Sequence, residues 1–164
     1  MSLISVLLIL STLFCSLVAG FVFAFAVVVM PGIKMLEDKE FLKAFKVMDK
    51  VIQDNQVMFV LAWLGSIILL LILTAMSFWQ WEGTQRLWII LSCCIYLFGV
   101  QLPTFAINVP LNNKLQRFEL NSASEQEILE LRKAFESRWM PSNSFRTLMA
   151  TVTTLILMIL LLQF

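Results

Sequence analysis

The distribution of charge limits what this chain can become more than any other feature. Asp, Glu, Lys and Arg are absent from four windows, Met1–Ile33, Asn55–Trp81, Leu87–Asn113 and Thr147–Phe164, of 33, 27, 27 and 18 residues. All 23 charged side chains lie in the remaining 59 of 164 positions. A helix in water carries polar groups along its solvent face, whereas a segment in hydrocarbon excludes charge. Each window supplies the roughly 17–25 apolar residues that cross a bilayer. A soluble domain and a disordered chain are both excluded, and the lipid bilayer is the first partner. The chain reads as an all-α, integral membrane four-helix bundle, one domain over residues 1–164. Its helices are expected at about 3–30, 57–78, 87–107 and 144–163.

Composition removes several chemistries. Histidine is absent, so Ser-His-Asp or Cys-His catalysis and any His-ligated haem, zinc or di-iron site are unavailable. No metal site and no cofactor are expected. The net charge of +1 and the lack of a basic tract argue against nucleic acid as a partner. Cys15, Cys93 and Cys94 sit inside uncharged windows, none placed to staple a loop, and read as buried packing residues. No Lys or Arg precedes the first apolar run, which far exceeds the roughly 7–15 residue core of a signal peptide. It reads as a retained membrane helix.

Helix one is expected to stop at Pro31-Gly32. Thr12, Ser16, Gly20 and Ala24 recur every four residues along it and suggest a packing seam. Lys34–Asp54 holds ten charges, with Phe41, Phe45, Met48 and Ile52 on one helical face. It suits either an interfacial helix or an early start to the second span. Trp79, Trp81 and Trp88 flank the short turn Glu82–Arg86 and mark a water interface. Pro103 is expected to bend helix three, and Pro110 to open a short helix. Ser124 and Glu127 fit a capping box before Ile128, Leu131 and Phe135. That amphipathic helix should end at Pro141, with Ser142 or Asn143 capping helix four. Thr147, Ala150, Thr151 and Thr154 suggest a second seam. The first and third connections hold five and six Lys or Arg, the middle one only Arg86. The positive-inside rule then places the first and third connections in the cytoplasm and both termini outside.

No charge lies deep in a span, so an ion pathway lacks its usual signature. The polar residues of interest gather at one membrane boundary. Gln101, Thr104, Asn108 and Asn112 descend helix three, and Trp139, Asn143 and Arg146 enter helix four. Arg146 with Asn108, Asn112 and Asn143 forms a candidate anion-stabilising catalytic cluster, because a guanidinium and amides supply convergent donors. Trp139, Gln101, Thr104 and Tyr96 are candidate substrate-binding residues. The same sequence also suits a plainer reading. There the asparagines cap helix ends, Arg146 snorkels to phosphates, and Tyr96 bonds a neighbouring helix.

Two elements carry a resemblance. Asn108-Val109-Pro110-Leu111-Asn112 is followed by Arg138-Trp139-Met140-Pro141-Ser142-Asn143-Ser144-Phe145-Arg146-Thr147, and Gly20 through Pro31 closes helix one. With these the chain resembles the anthrone oxygenase-like family of small membrane proteins. The resemblance implies a four-helix membrane domain. It also implies, for some members, oxidation of anthrones to anthraquinones by molecular oxygen without a cofactor. Such chemistry needs a base, and the boundary carboxylates Glu119 and Glu136 are the expected ones. Two other readings stay open. One is a non-catalytic module holding a lipid, quinone or pigment between its helices, and the other an accessory subunit of a larger membrane complex.

Overall fold

The computed structural model describes residues 2–163. Among them the chain forms five helices: α1 (Leu3–Ile33), α2 (Asp38–Gln53), α3 (Val57–Gln80), α4 (Gly83–Arg117) and α5 (Glu125–Leu161). All but α2 are long and apolar enough to cross a membrane. They form a ring in which α1 packs on α3 and α5, and α4 packs on α5 and α3. Large apolar side chains such as Met58, Ile68, Phe98, Phe105 and Leu155 stay exposed on the outer faces. Only a bilayer makes so extensive an apolar surface tolerable.

The bundle has two stacked cores. One, in the apolar half, gathers Leu8, Cys15, Val22, Leu70, Leu73, Tyr96, Val100 and Leu157. The other lies beneath the charged connections, where Met30, Phe41, Phe45, Leu115, Phe135 and Trp139 meet. The second core docks α2 against α5 and the end of α4. The break between α2 and α3 falls at Asn55, at φ 59°, a conformation Asn tolerates better than most residues. The charged segment is thus a separate amphipathic helix and not an early start to the second span.

Proline terminates none of the helices as the sequence suggested. Helix one runs on to Ile33, and the short helix expected at Pro110 is continuous with helix three. Each of Pro31, Pro103 and Pro110 follows a π-helical turn, at Phe25–Val29, Leu97–Gln101 and Thr104–Asn108. The wider turn accommodates a residue that lacks an N–H and crowds the carbonyl four positions back. Pro141 likewise lies inside α5, and neither Ser142 nor Asn143 is a cap. The helix is pinned on both sides of Pro141, by Phe135 and Trp139 in the lower core and by sideways hydrogen bonds from Ser142 and Asn143. The Ser124 capping box forms as expected, with both reciprocal bonds present.

The small-residue stripe of α1 is also displaced. Gly20 and Ala24 face outward, and the buried face runs through Ser11, Thr12, Cys15, Val18, Ala19 and Val22. A four-residue repeat turns about 40° per step around a helix of 3.6 residues per turn, so it cannot hold one seam for long. On α5, Thr151 is exposed while Thr153 takes the buried position. Cys94 is exposed on the outer face, whereas Cys15 and Cys93 are buried. The close approaches instead occur at Gly65, against Phe14, and at Gly99, where an added Cβ would lie 2.7 Å from the Cβ of Met149.

Candidate functional site

At the junction of the two cores lies a cavity of about 220 Å³. Its walls are largely aromatic: Phe21 and Phe25 from α1, Phe45 from α2, Phe59 and Trp63 from α3, and Trp139 from α5. Phe59 and Trp63 stack at 5.3 Å, and Phe45 meets Trp139 edge-on at 5.2 Å. The rim includes Phe105, which is 59% exposed, and Val109, both on the outer side of α4. Close packing of α3 on α4 is concentrated in Gly83–Tyr96, above this level.

Six of the eight residues singled out from sequence line the cavity: Thr104, Asn108, Asn112, Trp139, Asn143 and Arg146. Arg146 is only 5% exposed. Its Nη1 donates to Thr104 Oγ1 at 2.9 Å and its Nη2 to Asn143 Oδ1 at 2.7 Å. Its Nε has no hydrogen-bond partner, and no carboxylate among the described residues pairs with it. The guanidinium lies 5.8 Å from the Trp139 ring. It turns inward and does not snorkel. Asn143 Nδ2 donates to the carbonyl of Val22 at 3.1 Å, one turn before the first π-helical segment. Asn108 accepts from Ser142 at 2.7 Å and donates to the Trp139 carbonyl at 3.4 Å. Asn112 accepts from the Trp139 indole at 2.8 Å. None of the three asparagines makes a side-chain cap. They tie α1, α4 and α5 together around the cavity.

Two of the eight fall outside it. Gln101 accepts from the Trp63 indole at 2.9 Å and so positions a wall residue. Tyr96 is fully buried and shares a 2.6 Å hydrogen bond with Ser66. The expected bases are elsewhere too. Glu119 is exposed, and Glu136 pairs with Arg132 at 3.3 Å; neither lines the cavity.

The residue that sequence reasoning missed is Asp49. It is 4% exposed and, among the described residues, is the one carboxylate in the cavity lining. Asn112 donates to its Oδ1 at 2.7 Å, and Gln53 and Gln116 to its Oδ2 at 2.7 and 2.8 Å. No Lys or Arg pairs with it among the described residues. A signal was present in the sequence: Asp49 stands four residues after Phe45 and eight after Phe41, on the apolar face of α2. Among the described residues no three His, Cys, Asp or Glu side chains gather as a metal site would require.

The fold and the cavity together define a small helical membrane bundle with an aromatic, polar-tipped pocket at one end of its spans. The anthrone oxygenase family matches residues 48–156, about two thirds of the chain, and the chain belongs to that family. The match includes every polar residue of the cavity and leaves out Gly20–Pro31. No curated protein and no solved structure matches the chain.

Proposed function

We propose that the protein oxidises a lipophilic polycyclic aromatic of the anthrone type with molecular oxygen, without a cofactor, inside this cavity. The observation that carries the reading is Arg146: a buried guanidinium lining an aromatic cavity, with no hydrogen-bond partner on Nε and no counter-charge among the described residues. A charged side chain at this depth is costly unless it serves a function. Its natural complement is an oxygen that becomes negative during reaction. Loss of a proton from the central methylene of an anthrone sends the electron pair to the ring ketone and gives an enolate. Arg146, held by Thr104 and Asn143, supplies donors for that oxygen in a site walled largely by aromatic rings. The electron-rich enolate then adds dioxygen at the former methylene carbon. Loss of the remaining proton there, with departure of hydroxide, leaves a second ketone. The balance is one anthrone and one dioxygen giving one anthraquinone and one water. Phe59, Trp63 and Trp139 supply flat surfaces for the rings. The exposed rim at Phe105 and Val109 supports entry from the lipid phase.

The test is oxygen consumption with an anthrone in detergent, read together with quinone absorbance. Uptake above the autoxidation background, at one dioxygen per quinone formed, is the expected result. Background-rate uptake with no binding of the anthraquinone would sink the reading. The cavity lies at the end bearing the two basic connections, so the positive-inside rule places its mouth on the cytoplasmic side. With the three native cysteines replaced, Glu82→Cys should react with an impermeant maleimide on intact cells and Asp54→Cys should not. The reverse pattern would invert the orientation.

A further inference from the structure

The cavity contains two charged side chains of opposite sign that do not pair with one another, Arg146 and Asp49. The first is accounted for by the oxygen it receives. The second has no partner in that scheme. Asp49 sits on α2, outside the four spans, and the second core carries it into the cavity wall beside Phe45. An ionised carboxylate offers about four acceptor positions. Three are filled, two on Oδ2 by Gln53 and Gln116 and one on Oδ1 by Asn112. All three donors are neutral amides, which hold the carboxylate in place without neutralising it. One acceptor position remains, on Oδ1. Asn112 further links this oxygen to the wall, because its own Oδ1 accepts from the Trp139 indole.

We propose that Asp49 is the catalytic base of this site, and that Asn112 and Gln116 are positioning residues that aim it. The assignment rests on the oxidative reading given above. In the step concerned, a C–H bond of the substrate methylene breaks and an O–H bond forms at Asp49 Oδ1. The electron pair passes through the ring to the ketone oxygen beside Arg146. Nothing else is consumed. The substrate then lies between the two charges, with its acidic carbon toward α2 and its ketone toward α5.

This proton transfer needs no oxygen, which allows it to be measured alone. Anthrone deuterated at the methylene is incubated anaerobically with the detergent-solubilised protein, and loss of deuterium to water is followed above the buffer rate. Wild type should accelerate the loss, and Asp49→Asn should lower the acceleration at least about a hundredfold, as removal of a general base does. Anthraquinone binding, read by quenching of tryptophan fluorescence, should persist in that variant. In Asp49→Ala, added formate should restore exchange, a response that a merely structural role would not give. Exchange in both variants near the wild-type rate overturns the assignment. So does loss of anthraquinone binding in both variants with no rescue by formate. A wild type that consumes oxygen with anthrone yet exchanges no deuterium overturns Asp49 alone and leaves the oxygenase reading standing. A wild type that does neither overturns both.

Discussion

Arg146→Met is expected to lower anthrone-dependent oxygen uptake on the order of 10²–10³-fold, the usual cost of deleting a preorganised donor to a developing oxyanion. The same substitution should leave the unfolding transition where it was or raise it. Among the described residues Arg146 has no carboxylate partner to abandon, and its removal takes an uncompensated charge out of a buried place. A falling rate with constant or rising stability is the pattern of a group kept for function. Arg146→Lys should recover little. The planar fork reaches Thr104 and Asn143 at the same time, and a single ammonium on a flexible stem does not reproduce that geometry. Equal rates in wild type and Arg146→Met would remove the proposed oxyanion site. A large fall in stability would show instead that the guanidinium is a structural tie.

On the proposed reading, proton transfer proceeds without histidine. The proposed chemistry uses one base and one cation that the fold does not pair with each other. Here α5 carries the cation and α2 the anion, and α4 reaches both, through the Thr104 hydroxyl to Arg146 and through the Asn112 and Gln116 amides to Asp49. Asn112 touches Asp49 on one side and Trp139 on the other, and Trp139 lies under Arg146. Both charges line one cavity whose walls are largely aromatic.

Much of the fold was legible from charge alone, because each of the four uncharged windows falls on one of the four long helices, although α5 begins at Glu125, well before its window opens at Thr147. What escaped the sequence has a common physical origin in tertiary support. Pro31 and Pro110 read as boundaries, and Pro103 as a bend, because an isolated helix tolerates proline poorly, yet each follows a widened turn here. Pro141 read as a stop because its neighbours' sideways bonds to α1 and α4 involve residues more than 30 positions away. For the site, Thr104, Asn108, Asn112, Asn143 and Arg146 could be grouped from the sequence because two consecutive spans were expected to meet one boundary, and the structure lines the cavity with them from the interiors of α4 and α5. Asp49 was not. Its place in the cavity depends on α2 folding back over the bundle, which no local pattern specifies, and its charge disguised it as one more solvated residue among ten.

That folding back hangs on Arg132, and the second large effect is expected there. The Arg132 guanidinium donates to the carbonyls of Lys34 and Leu36 at 2.8 Å each, to Asp38 at 2.9 Å and to Glu136 at 3.3 Å. It also lies 4.4 Å from the Phe41 ring. One side chain of α5 thereby closes the link between α1 and α2 and fixes where α2 begins. Arg132→Ala leaves two carbonyls and the carboxylates of Asp38 and Glu136 without their donor. The stability of the α2 layer should fall by about 2–4 kcal/mol, below the full cost of breaking a buried pair because Asp38 is 39% exposed. The four spans have their own core and should persist, so the loss should be local. Limited proteolysis within Lys34–Asp38 should become fast while the apolar helices remain protected. Anaerobic deuterium exchange should fall with it, because undocking α2 withdraws both Asp49 and the Phe45 wall. Arg132→Lys should sit between the two, keeping a charge near Asp38 but losing the fork that spans both carbonyls. Unchanged protease sensitivity in Arg132→Ala would show that α2 is held by its apolar face alone, through Phe41, Leu42 and Phe45. In that case its seat over the cavity is a property of the second core and not of this one guanidinium.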